Sequence, residues 1–273
     1  MTYSPVIPFG GYTGWTFLQR TQTAQRAAFE ASPVSKRDET YFREKIGSIK
    51  TAEALVADRR LLGVALGAFG LDGDINNRAF IKKILAEGTL KPGTLANKLA
   101  DKQYQALSAA FGFDLSVPRT QVSTFADKIL TSFKERRFEQ AVGDQNNDMR
   151  LAMNARRELA TLAGKSSGPN TKWLTIIGNT PLRQVFETAL GLPATFVTLD
   201  LDKQVGILRA KTERILGQGE VAQFKDPAQV DKLLRQFLVR SDLASATASQ
   251  GTSSALQILQ AQPFGRGQLS LRL

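Results

Sequence analysis

Apolar residues recur three and four positions apart along most of the chain, which is the spacing of one face of an α-helix. The clearest run is Leu61, Leu62, Ala65, Leu66 and Phe69. Comparable runs follow within residues 104–111, 125–142, 152–162, 182–190 and 230–238. The run ATFVTL at 194–199 is strand-like, and we interpret it as an extended loop because no second such run pairs with it. The pattern predicts an all-α fold, a multi-helix globular array.

Three of the predicted helices are followed by a glycine and then by an apolar residue, at Gly70-Leu71, Gly112-Phe113 and Gly191-Leu192. Glycine closes a helix well because it adopts the left-handed conformation without a steric penalty. The second spacing is close to twice the first, which leaves open a structural repeat of about 40 residues. The alternative is that an all-helical chain reuses the same C-cap.

Breaks in the pattern divide the chain into four segments. Residues 1–36 contain an irregular, glycine- and proline-containing leader and a first helix, and residues 37–164 form a helical subdomain. The polar stretch from Lys165 to Asn170 is an interior linker. Residues 171–242 form a second helical subdomain, and 243–273 form a flexible tail of mixed polar and apolar residues. We therefore expect two helical subdomains with flexible N- and C-terminal ends.

The composition excludes several kinds of chemistry. The 273 residues include no cysteine and no histidine. Thiolate nucleophiles, sulfur-ligated metals and the side chain that serves most often as a general base are therefore absent. No group of carboxylates replaces them at a spacing that suggests a site. We expect a protein that is not an enzyme, with no catalytic residue, no cofactor and no metal site.

The formal net charge of +11 suggests a nucleic-acid or anionic-surface binder as an alternative function. The excess charge is spread along the whole chain, whereas a nucleic-acid binder usually concentrates it on one face. The densest cluster, Lys134-Glu135-Arg136-Arg137, is interpreted as a solvated helix face. In the alternative function, phosphate contacts come from Arg136, Arg137, Arg156 and Arg157.

Two groups of apolar residues are candidates for binding a protein partner. Trp15, Phe17 and Leu18 follow the leader and suit a docking anchor, although burial on the chain's own core is the favoured explanation. Leu256, Leu259 and Phe264 make the tail too apolar for an idle segment. We expect this tail to be a recognition segment that orders on a partner.

A set of short motifs resembles one bacterial family. The motifs are Tyr41-Phe42, Ile49-Lys50-Thr51, Asp58-Arg59-Arg60-Leu61-Leu62, Phe69-Gly70-Leu71, Phe138-Glu139-Gln140-Ala141-Val142-Gly143 and Phe186-Glu187-Thr188-Ala189-Leu190-Gly191-Leu192-Pro193. Together they resemble an uncharacterised domain-of-unknown-function family of alphaproteobacteria whose members are often encoded among flagellar genes. The resemblance covers roughly residues 3–240.

The resemblance implies an all-helical fold and a flagellar context, and it carries no catalytic residues. We therefore expect a structural or assembly-assisting protein of the flagellar system, with a flagellar component as its partner. The sequence has no apolar run of 18 residues and does not begin as a standard secretory signal does. The expected location is the cytoplasm or the flagellar basal body.

Overall fold

The computed structural model describes the backbone of residues 3–261 and the side chains of residues 3–247. Within that range the chain is built from α-helices and short 3₁₀ helices, with no strand, which confirms the predicted all-α class. The α-helices are α1 Gly11–Glu30, α2 Pro33–Ile46, α3 Ala52–Ala57, α4 Arg59–Phe69, α5 Arg78–Glu87, α6 Leu95–Lys98, α7 Lys102–Phe111, α8 Phe125–Gly143, α9 Asn147–Gly164, α10 Pro169–Gly178, α11 Thr180–Leu190, α12 Leu201–Leu216 and α13 Pro227–Ala261.

The three glycine caps are confirmed. Gly70, Gly112 and Gly191 have φ angles of 73°, 60° and 61°, in the left-handed region. After Gly70 the amide of Leu71 donates to the carbonyl of Leu66 at 3.0 Å, and Leu71 is buried. This bond closes the last turn of α4, as expected of a helix that ends in a left-handed glycine.

Side-chain caps mark several helix starts. Thr51 accepts a hydrogen bond from the amide of Ala54, and Asp101 accepts one from the amide of Gln103. Asp58 accepts from the amides of Arg60 and Leu61, which separates α3 from α4. At α11 the cap is Asn179, whose amide oxygen accepts from Leu182 N.

Three other boundaries differ from the sequence prediction. Residues Ala194–Thr198 form a 3₁₀ helix and not an extended loop, because Phe196 turns inward and is buried. Helix α1 begins at Gly11, inside the predicted leader. Helix α13 continues to Ala261, beyond the predicted start of the tail at residue 243, since alanine and glutamine are compatible with a helix.

Two clusters of buried apolar side chains divide the described residues into two lobes. The cluster of buried residues from Phe42 to Phe133 forms what we call the first lobe, and within it α4 packs along α8. The second lobe combines buried residues of α1 with those from Phe138 to Leu238. The division between the two clusters falls within α8. The predicted subdomain boundary at the linker 165–170 stays a prediction.

Residues 3–10 cross the surface of the second lobe before α1 begins. The buried Gln25 holds them, since its Oε1 accepts from Val6 N at 2.7 Å and its Nε2 donates to Val6 O at 3.1 Å. Tyr3 and Ile7 pack against the same core. One side-chain amide thus pairs with both backbone groups of Val6, as a neighbouring strand would.

We expect Gly112→Ala to lower the free energy of unfolding by about 1–2 kcal/mol, because a side chain resists the left-handed conformation. A Cβ there would also lie 2.8 Å from Cδ1 of Leu115. The control is Gly164→Ala at the end of α9, where an added Cβ meets no atom within 4 Å. Urea unfolding of both variants measures the difference, and equal stability would show that the cap contributes nothing.

Candidate functional site

Helices α8 and α9 form an antiparallel hairpin where the two lobes meet. The first half of α8 places Ile129 and Phe133 in the first lobe, and its second half places Phe138 and Val142 in the second. Helix α8 is therefore the continuous element that joins the two cores.

Four charged side chains cross between α8 and α9 at this point, and we call them the seam network: Arg136, Glu139, Arg157 and Glu158. Arg136 Nη2 lies 2.9 Å from Glu158 Oε1, and Arg157 Nη2 lies 3.1 Å from the same oxygen. Arg157 Nη1 also pairs with Glu139 Oε1. The network has equal numbers of positive and negative groups, which is the condition under which charges tolerate burial.

Burial shifts the ionisation of these groups. It raises the pKa of Glu139, whose side chain is only 7% exposed, while Arg157 and Arg136 act in the opposite direction. Burial lowers the pKa of Arg136. Burial alone would also lower the pKa of Arg157, but Glu139 and Glu158 outweigh it and raise that pKa.

The arginines named for phosphate binding are engaged within the protein. Arg136 and Arg157 belong to the seam network, so the interpretation of Lys134–Arg137 as a solvated face is wrong for Arg136. The guanidinium of Arg137 lies 5.7 Å from the ring centre of Phe133. Arg156 Nη2 lies 3.9 Å from Asp231 Oδ1. These side chains form no common surface track.

A polar cleft of about 570 Å³ opens on one side of the seam network, and we call it the seam cleft. It lies where the ends of α4 and α8 approach the starts of α7, α9 and α11. Its charged and amide lining residues include Asp72, Asp101, Gln103, Arg136, Glu139, Gln140, Asp144, Asn147, Arg150, Asn154 and Asn179. The cleft is thus walled by both lobes.

A second cleft of about 480 Å³ opens on the other side of Glu139, between α1 and the α8–α9 hairpin. Trp15, Phe138 and Met153 give it an apolar lining, and Arg26 and Glu135 belong to its charged lining. Glu139 lines both clefts. The seam network is therefore the partition between them.

The predicted partner-binding residues differ in burial and in whether the structure describes their side chains. Trp15 and Leu18 are 2% and 0% exposed, because both belong to the core of the second lobe, which agrees with the alternative of burial on the chain's own core. Phe17 is half-buried. Leu256 and Leu259 lie on α13, but their side chains are outside the described residues, as is all of Phe264.

Sequence reasoning missed Glu139 and Asn154. Both are buried polar residues on helix faces that are otherwise apolar, since Phe138 and Val142 flank Glu139 and Leu151 and Ala155 flank Asn154. A polar residue at a core position of an amphipathic helix is the signal that could have identified them. Among residues 3–247, no group of three or more acidic side chains is placed to hold a metal ion. In the same part of the chain, no helix has the length and apolarity needed to cross a membrane.

The described residues form an all-helical protein of two lobes that meet at the seam network. Residues 68–230, more than half of the chain, match the family described as a protein of unknown function, DUF1217, and the chain belongs to this family. The matched range contains every residue that lines the seam cleft. The predicted membership of a domain-of-unknown-function family is therefore confirmed.

The chain is also similar to a protein of Agrobacterium tumefaciens, an alphaproteobacterium, whose X-ray structure was a structural genomics target. The two are 27% identical with a TM-score of 0.71, over 88% of this chain and 99% of that one. No curated protein matches the chain. The flagellar context stays a prediction.

We expect Arg157→Met to lower the free energy of unfolding by about 3 kcal/mol, because it leaves Glu139 buried without its partner. The double variant Glu139→Leu/Arg157→Met should lose less, since a buried ion pair is often replaced by apolar side chains at little cost. Urea unfolding of the two single variants and the double variant completes the cycle. A double variant as unstable as the sum of the two single variants would contradict the assigned pairing.

The raised pKa of Glu139 predicts a pH dependence of stability. A carboxyl group that binds its proton more tightly in the folded state stabilises the fold at low pH, and this contribution is lost as pH rises through the folded pKa. The free energy of unfolding should therefore fall less steeply above pH 4.5, the ordinary pKa of glutamate, in Glu139→Gln than in the unmodified protein. Urea titrations between about pH 4 and pH 7 measure both slopes, and identical slopes would contradict the prediction.

Proposed function

We propose that the chain is a non-enzymatic protein that binds a protein partner and assists flagellar assembly, in the cytoplasm or at the basal body. The observation that carries the protein-binding part is the path of α13. The flagellar part depends on the motif resemblance that spans residues 3–240.

Helix α13 is partly core and partly extension. Its first turns supply Val230, Leu233, Leu234, Phe237 and Leu238 to the second lobe. From Asp242 to Thr247 every residue is exposed, and the helix continues to Ala261. The 20 residues from Asp242 to Ala261 span about 30 Å of helix at 1.5 Å per residue.

A helix of this length suits recognition of another protein. Isolated helices are only marginally stable in water, and packing of an apolar face against a partner supplies most of the stability that helices have in proteins. The sequence beyond residue 247 contains Leu256, Ile258 and Leu259, which are apolar residues of the kind that anchor a helix in a partner's groove. These residues support a partner-binding role for the extension.

The test is a motility assay in a strain that lacks the gene. Complementation with Leu256→Ala/Leu259→Ala should restore fewer filaments and a smaller swimming zone than the unmodified chain, because the variant removes apolar contacts with the partner. The matched control is Gln257→Ala/Gln260→Ala, in the same segment, which should restore swimming fully.

Circular dichroism and melting of the purified variants provide the folding control, and both double variants should match the unmodified protein. Normal filaments and swimming in the uncomplemented deletion strain would contradict the flagellar role. Full rescue by Leu256→Ala/Leu259→Ala would contradict the role of the extension.

A further inference from the structure

The seam cleft has the opposite charge from the protein that contains it. Its lining includes four carboxylates, of Asp72, Asp101, Glu139 and Asp144, and two guanidinium groups, of Arg136 and Arg150. The chain as a whole carries a formal net charge of +11. The carboxylates of the lining outnumber its guanidinium groups by two. A concave surface with an excess of one sign of charge concentrates ligands of the opposite sign, so this cleft attracts cations.

Asn154 is an unpartnered polar side chain in the wall of this cleft. The residue is 6% exposed, and its side chain makes no hydrogen bond within the described residues. Its Oδ1 is a buried acceptor without a donor. Because an unsatisfied buried polar group is costly, native proteins pair nearly all of them. A bound ligand that donates a hydrogen bond would supply the missing partner.

Other acceptors in the cleft are also free. Glu139 uses Oε1 for Arg157, and its second oxygen has no partner in the described part of the chain. The carboxylate of Asp144 at the rim is exposed and has no ion pair with any described residue. These unpaired groups of the cleft are therefore hydrogen-bond acceptors, and both carry negative charge when ionised.

Several donors around the cleft, by contrast, are already occupied. The first turns of α7 and α11 are capped by Asp101 and Asn179, at 2.8 Å and 3.1 Å from the amides that they accept from. Arg136 pairs with Glu158, and Arg150 donates to Oδ1 of Asn147 at 2.7 Å. An anion would have to displace these internal bonds, whereas a cation finds Asp144 and the second oxygen of Glu139 without an internal partner.

The carboxylates are not gathered as metal ligands are, since no group of three acidic side chains within residues 3–247 could hold a metal ion. Separated acceptors suit a cation whose charges and N–H donors are spread along its length. The cleft volume of about 570 Å³ lies in the range of small-molecule sites.

We propose that the seam cleft binds a small organic polycation of the polyamine class, with Asn154 and Glu139 accepting hydrogen bonds from its ammonium groups and Asp144 pairing with it at the rim. The site is distinct from the extension of α13 and does not depend on a flagellar partner.

The test is isothermal titration of the full chain with spermidine at low and at physiological salt. We expect saturable binding with one molecule per chain. Asp144→Asn, Glu139→Gln and Asn154→Ala should each weaken it about tenfold, because each removes one acceptor for a charged donor. The matched control is Asp202→Asn on α12, an exposed aspartate outside the cleft, which should leave the affinity unchanged.

Several results would overturn the proposal. These are no saturable binding of spermidine, equal weakening by Asp144→Asn and Asp202→Asn, or equally tight and competitive binding of magnesium chloride. Saturable binding of inorganic phosphate that Asn154→Ala abolishes would assign the cleft to anions instead. If a variant at a buried position fails to fold in the melting control, Asp144→Asn decides the matter, since that side chain is exposed and unpaired.

Discussion

The seam network is the interaction on which the arrangement of the two lobes depends. Arg136 and Arg157 are largely removed from water between two apolar cores, and each has a carboxylate partner on the facing helix. A charge at this depth is tolerated only with its partner in place, so α8 and α9 can approach each other in one register. Because α8 supplies residues to both cores, fixing its position against α9 also fixes one lobe against the other.

The parts of the fold that the sequence predicted are those governed by local chemistry. Gly70 ends α4 because the left-handed turn favours a residue without a side chain, and the apolar Leu71 that packs back onto the helix follows it directly in the sequence. Thr51 and Asp101 cap helices through bonds to amides two or three residues away. Such signals need no knowledge of the rest of the chain, and they suffice for an all-helical assignment.

The candidate site depends on pairings that the sequence does not display. Arg136 reads as one more surface charge in a basic cluster, but its side chain is only 18% exposed and pairs with Glu158 of α9, a contact that the sequence does not display. Trp15 fits either an exposed anchor or a core residue in the sequence, and only the packing of the second lobe over it decides for the core. Asn154 was detectable as a polar residue on an apolar face, but the missing partner is a property of the folded cleft.

The second lobe is discontinuous along the chain, and this has a consequence for biosynthesis. Helix α1 leaves the ribosome before the other buried residues of its lobe, which begin at Phe138 and continue to Leu238. All residues of the first lobe lie between α1 and Phe138 in the sequence. The first lobe can therefore complete its packing while the apolar face of α1 is still exposed to water. Closing the second lobe then requires contacts between residues far apart in sequence, which form slowly. A nascent chain of this protein therefore exposes helix α1 to chaperones, or to other copies of itself, until the residues up to Leu238 have left the ribosome.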